Sequence, residues 1–245
     1  MNHHLLQKNV MHTHKSILDK LFLFKNPEKA KHSYKFFKAG PGEYGEGDEF
    51  LGIKVPDQRK VAKKYRNLPV AEIEKLLQNE FHEVRLTAVM LMTYKVEKGG
   101  LDELEEMTRL YLNNLPAINN WDLVDSSCHQ ILGRFLQDKE RDLLYDFAHS
   151  GDLWKKRIAM ITCYHFIKQE DFSDPLNIAE ILVHDDHDLI QKAVGWMLRE
   201  IGNRDLETEE EFLKKFYHNM PRTMLRYAIE KFDEPLRLKY LHGEI

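Results

Sequence analysis

The sequence predicts an all-α chain, built as an α-solenoid of stacked helix pairs. Three observations point there. No run of alternating apolar and polar residues bounded by turn residues marks a strand. Apolar residues recur instead at helical spacing in one segment after another. Several of those segments resemble each other. HEVRLTAVMLMTY (82–94), LWKKRIAMITCYHF (153–166), LIQKAVGWMLREIG (189–202) and RTMLRYAIEKF (222–232) each place a basic residue shortly before an alanine and follow it with an apolar stretch. The last three alanines, Ala159, Ala193 and Ala228, lie about 35 residues apart, and Ala88 precedes Ala159 by about twice that. A repeat of this length is the signature of stacked helix pairs, each of which buries its apolar face only against its neighbours.

The elements follow in order. Residues 1–16 read as a disordered leader, with His3, His4, His12 and His14 in a flexible tail. The region 17–66 is helical but breaks the period, because the glycine-rich loop KAGPGEYGEGDEFLGIKVP (38–56) interrupts it. AEIEKLLQNEF (71–81) has helical periodicity, and Pro69 stands where an opening turn tolerates it. LDELEEMTRLYLNNL (101–115), RDLLYDFAH (141–149), SDPLNIAEILVH (173–184) and EEEFLKKFYHNM (209–220) read the same way, and WDLVDSSCHQIL (121–132) fills the double gap in the repeat. Residues 17–245 are therefore expected to form one repeat domain. The period and the absence of a W-x₂-L-G-x₂-Y pattern favour a HEAT-like repeat over the tetratricopeptide type. On a curved stack the recurring basic residues would line a concave face.

Composition narrows the function classes. Hydrophobic residues are 42% and charged residues 31% of the 245 residues, as in a soluble globular chain. No apolar run approaches the roughly 18 residues of a membrane span. The first residues lack the apolar stretch of a secretory signal. The two cysteines, Cys128 and Cys163, form no CxxC, which excludes a disulfide framework and a cysteine-rich zinc site and makes the cytoplasm the expected compartment. The net charge of −4 argues against nucleic-acid binding by bulk charge but leaves room for a local basic stripe.

Several motifs carry possible chemistry. Gly40, Gly42 and Gly45 spell G-x-G-x-x-G, but helical sequence precedes them and Glu43, Glu46 and Asp48 would repel a phosphate, so a structural loop is expected. The run His184, Asp185, Asp186, His187, Asp188 reads as an interhelix loop with Asp185 or Asp188 capping the next helix, rather than as a metal site. Over 54–66, Lys54, Arg59, Lys60, Lys63, Lys64 and Arg66 surround a single acid, Asp57; this is either a solvated face or a track for a nucleic-acid backbone. Trp121 and Asp125 stand at i and i+4, so an indole and a carboxylate project from one helical face, while Asp122 points elsewhere and suits the first turn. Trp196 shares a face with Lys192 and Arg199, a setting suited to stacking on a nucleotide. Trp154, three residues before Arg157, reads as core.

Taken together, NNWDLVD, LWKKRIAMI, KAVGWMLRE and MPRTMLRYAIEKF, with the earlier GPGEYGEGDEFLGIKVP, resemble the DNA alkylation repair family of AlkD-type DNA glycosylases over about residues 30–240. The resemblance implies a C-shaped stack of HEAT-like repeats and double-stranded DNA with N3- or N7-alkylated purines as substrate. It further implies release of the charged base to leave an abasic site, with no metal and no cofactor. By the same resemblance Trp121, Asp125 and Trp196 are the catalytic-site residues and Arg157 is a basic residue near the lesion. Lys156, Arg157, Lys192 and Arg199 are expected to hold phosphates. A monomer is expected. Two other functions fit the same features: a HEAT-repeat module that binds damaged or branched DNA without chemistry, and a HEAT-type protein scaffold.

Overall fold

A computed structural model of the chain describes residues 12–245. The described residues are all-α, an α-solenoid in which strand-like pairing is limited to an isolated bridge between Glu49 and Phe81. Where a single domain was expected over 17–245, the contacts divide the chain into two compact units, the first ending at Lys95 and the second Val96–Ile245.

In the first unit, α1 (His14–Phe22) buries Ile17 and Leu21 against α3 (Val55–Lys64) and α4 (Val70–Leu77), which contribute Val61, Ala62, Ile73, Leu76 and Leu77. Between them, α2 (Pro27–Phe36) has no buried residue. The expected disordered leader lies largely outside the described residues, and its last residues are ordered. Thr13 caps α1 through a reciprocal pair with Ser16, the His12 ring meets Tyr65 edge-on at 4.8 Å, and the His14 amide donates to Glu72 at 2.8 Å. Two hydrogen-bonding side chains spaced for a capping box, followed by the apolar pair Ile17 and Leu21, are what a helix start requires.

The glycine-rich segment is structural, as expected. The amides of Gly40 and Gly42 donate to Glu43 and Glu46 at 2.9 Å each, so carboxylates occupy the groups a phosphate would need. Gly52 combines φ +76° with close approach: a Cβ there would lie 2.1 Å from the Asn26 carbonyl oxygen. Buried Glu83, at the start of α5 (His82–Lys98), accepts from the amides of Leu51, Gly52 and Ile53 at 2.9, 2.7 and 3.2 Å. Beside it, buried Asp48 accepts from Arg85 at 2.6 Å and contacts His82 Nδ1 at 3.1 Å, and His82 sits against the rings of Phe37 and Phe50. Glu83→Ala would strand three buried amides, each at roughly 1–3 kcal/mol. Urea unfolding should therefore show a loss of about 3 kcal/mol or more; a loss under about 1 kcal/mol would mean that these amides find other acceptors.

In the second unit the helices pair and stack in two layers. The pairs are α8 (Asp142–His149) with α9 (Leu153–Thr162), and α11 (Ser173–Leu182) with α12 (Asp188–Gly202). One layer stacks α8 on α11. The other runs from α7 (Trp121–Asp125) through α9 and α12 to α14 (Arg222–Ala228). The flanking elements are α6 (Leu101–Asn113), the short α10 (Tyr164–Ile167), α13 (Leu206–Phe216) and α15 (Glu234–His242). The expected helix at 121–132 is split: α7 ends at Asp125, and His129–Gly133 continues as a π-helical turn.

The alanine repeat has the expected role. Ala88, Ala159, Ala193 and Ala228 are all fully buried. Beside Ala193, Gly195 lets α12 press on α14, since a Cβ there would lie 2.4 Å from the Met224 carbonyl oxygen. α12 buries Ile190, Val194, Met197, Leu198 and Ile201 along one stripe, each contributing roughly 1.5–3 kcal/mol. The recurring basic residues differ in their surroundings. Arg85 and Arg157 turn inward and are buried in ion pairs, whereas Arg226 is exposed. A buried guanidinium that finds a carboxylate is compatible with a core position, and sequence spacing alone does not distinguish that from a surface position.

Candidate active site

The layer α7–α9–α12 carries the candidate residues. α7 is one turn and a half of helix, capped by the buried Asn120, whose side chain accepts from the Trp121 amide at 2.9 Å. Asp122 accepts from the Leu123 amide at 2.9 Å, the first-turn role expected of it. Leu123 and Val124 anchor the inner face. Trp121 and Asp125 are left half-buried at the other side of the short helix.

Asp125 meets the next repeat. From α9, Arg157 donates to it through two parallel bonds, Nε to Oδ1 at 2.9 Å and Nη2 to Oδ2 at 2.7 Å. The third guanidinium nitrogen, Nη1, donates to the Leu189 carbonyl at the start of α12. One buried arginine thus ties α7, α9 and α12 together, and the fork geometry fixes the plane of the carboxylate. The Asp125 side chain keeps 17% of its surface exposed, against 6% for Arg157, so the aspartate retains some solvent access where the guanidinium is enclosed. Burial pushes the Asp125 carboxyl above the ordinary carboxylate range, and the Arg157 charge and hydrogen bonds oppose that rise. Arg157, expected among the phosphate contacts, is instead committed to Asp125.

The other expected DNA contacts also hold carboxylates. Lys156 reaches Asp185 at 2.7 Å, Lys192 reaches Asp188 one turn earlier at 2.6 Å, and Arg199 pairs with Glu230. The His184–Asp188 run is an interhelix loop, but its cap is His187, whose Nδ1 accepts from the Leu189 amide at 3.1 Å; Asp185 accepts from the His187 amide at 2.9 Å. The six cations of the 54–66 segment are all exposed, with Lys60 paired to Asp57 at 3.2 Å. Trp154 is half-buried and not the core residue expected.

Trp196 is half-buried on α12, and its indole N–H donates to Glu200 at 3.3 Å. Its neighbour is Tyr164, with ring centroids 6.1 Å apart; on its other side Tyr164 meets His129 of the π-helical turn edge-on at 5.3 Å. Sequence reasoning missed this row. Tyr164 lies within the repeated segment 153–166 but is not singled out there, and a π-helical turn such as the one that carries His129 has no sequence signal comparable to a cap or a glycine.

Both His129 and the nearby His165 are held down to about 4, chiefly by burial and then by the Lys168 charge. They are neutral in the folded protein, whereas the unfolded chain takes up protons below about 6.5. Their contribution to stability is therefore complete above pH 6.5 and is lost as the pH falls towards 4. The melting temperature should drop over that interval, and the double variant His129→Asn, His165→Asn should show a shallower drop. Parallel curves for the two proteins would refute the assignment.

Comparison with known proteins decides the family. The family model for DNA alkylation repair enzymes matches residues 17–232. The chain belongs to that family. A solved structure described as a predicted DNA alkylation repair enzyme from Enterococcus faecalis superposes with a TM-score of 0.68 at 19% identity, covering 86% of this chain and 97% of that one. That likeness is one of fold. No curated protein matches the chain. Membership gives the protein a role in DNA repair, with DNA as the substrate the family implies.

Proposed function

We propose that the protein is a monofunctional DNA glycosylase that releases positively charged N3- or N7-alkylated purines from duplex DNA and leaves an abasic site. The observation that carries this reading is the Asp125 carboxylate, fixed in plane by the Arg157 fork on a side chain that is still partly exposed, on the same short helix as Trp121.

Alkylation at N3 or N7 gives the purine a formal positive charge, so the base departs without needing a proton. The C1′–N bond breaks with its electron pair going to the base, which leaves as a neutral molecule, and the deoxyribose gains oxocarbenium character. What the reaction lacks in water is a fixed anion beside the cationic sugar. An ionised Asp125 supplies that anion, and a carboxylate lone pair not taken by Arg157 can orient a water whose lone pair attacks C1′; the water's proton passes to solvent through the carboxylate. Trp121 and Trp196 would offer indole faces to the sugar, with cation–π attraction growing as charge builds. Lys156, Lys192 and Arg199 would exchange carboxylate partners for phosphates.

The test is duplex DNA carrying 7-methylguanine, incubated with saturating protein and assayed for alkali-labile abasic sites. Excess over buffer is expected, with intact strands before alkali treatment. Salt-dependent binding with no base release would select the non-catalytic DNA-binding module instead, and absence of binding at low salt would select the protein scaffold.

A further inference from the structure

A cavity whose lining does not include Asp125 lies where α12 ends and α13 and α15 begin. It holds about 270 Å³. Leu206, Phe232 and Leu236 give it apolar walls, and the Phe232 ring is held edge-on to the buried Tyr240 at 5.6 Å. Asn203, Arg199 and Lys231 bring polar and positive groups to it and Asp233 an acid, with Arg199 paired to Glu230, so Lys231 is the cation a phosphate would chiefly meet. Its lining also includes Glu209, which is 1% exposed and whose Oε1 has no hydrogen-bond partner. A Cβ on Gly202 would lie 1.6 Å from Glu209 Oε2, so the absence of a side chain at Gly202 leaves room for the carboxyl where it sits.

A buried, unpartnered carboxyl is costly and calls for an occupant. Burial, and then the Glu210 charge, raises Glu209 to about 9, so the group is neutral near pH 7. A neutral carboxyl offers an O–H donor beside a C=O acceptor. Its complement is a flat edge carrying an acceptor beside a donor, the pattern that nucleobases present. An aromatic wall suits a base plane, and cations suit a phosphate. A volume just below the roughly 300–1,000 Å³ of drug-sized pockets fits one nucleotide rather than a longer segment.

We propose that this cavity binds a nucleoside 5′-monophosphate, the base edge paired with Glu209, the base plane against Phe232, and the phosphate near Lys231 and Arg199. Arg199 is shared with the duplex contacts proposed above; the other residues of the lining take no part in that reading.

The test is calorimetric titration of the full chain at pH 7 with adenosine 5′-monophosphate and cytidine 5′-monophosphate, with ribose 5-phosphate as the base-free control. Saturable binding of at least one nucleotide, with Kd below about 1 mM, is expected, and none of the control. Glu209→Met should weaken binding at least about tenfold, whereas Glu209→Gln, whose amide also pairs a donor with an acceptor, should stay within about threefold. Wild-type affinity should fall above about pH 9 as the carboxyl ionises, and Glu209→Gln should not follow. If Glu209→Met fails to fold, the Gln variant and the pH series decide. Equal binding of ribose 5-phosphate, undiminished binding by folded Glu209→Met, or no saturable binding of either nucleotide would overturn the proposal, the last leaving a buried water as the partner of Glu209.

Discussion

Asp125→Asn should lower release of 7-methylguanine from duplex DNA by at least about 100-fold while changing duplex affinity by less than about threefold. The reason is electrostatic. The amide has nearly the volume of the carboxylate and can still accept one bond from Arg157, but it carries no charge to oppose the cationic sugar; removing even one preorganised group of this kind costs about 10²–10³ in rate. Duplex binding rests on cations elsewhere, so the loss should fall on the chemical step. The wild-type rate has a further signature. Because burial raises the Asp125 carboxyl, protonation should extinguish activity on an acid limb lying above the ordinary value of 3.8, measured against the buffer-only reaction. Asp125→Asn should lack that limb. Parallel loss of binding and release, or a wild-type rate that stays flat towards acid pH, would remove Asp125 from the chemistry.

How much of this was legible beforehand depends on the kind of signal. Helix content and the solenoid class follow from periodicity and from the buried alanines, since a small residue facing the next repeat is a local requirement written into each repeat. The i, i+4 pairing of Trp121 with Asp125 is likewise local, and α7 has that geometry. Local capping rules also covered Asp122, but not His187, where an imidazole nitrogen replaces the expected carboxylate as the cap. The sign and placement of charge were harder to read. Whether a lysine or arginine faces solvent or an acid depends on partners about 30 residues away, as with Arg157 and Asp125, Lys156 and Asp185, or Arg199 and Glu230. Glu209 is the extreme case: nothing near it in sequence reports that it is buried and neutral, because its helix α13 packs on α12 and places it against Gly202.

Arg157→Met should destabilise the protein by about 3–5 kcal/mol in urea unfolding, the cost of leaving a buried carboxylate without its partner. The side chains are similar in length, so the enclosed stem keeps much of its packing, and the loss comes from the charge and from the fork that also holds the Leu189 carbonyl. Once the opposing guanidinium is gone, burial and the Asp122 charge both raise the Asp125 carboxyl unopposed, and the acid limb of the surviving activity should move to higher pH. Arg157→Lys keeps the charge but not the two parallel bonds. It should recover part of the stability and less of the rate, because a point charge does not fix the plane of the carboxylate. The decisive comparison is the double variant Asp125→Asn, Arg157→Met. If the damage of the single change is an orphaned anion, neutralising Asp125 in the same protein should return at least about 1 kcal/mol of it. Additive losses would mean that Arg157 serves packing and the Leu189 carbonyl alone, and the carboxylate would then owe its orientation to α7 itself.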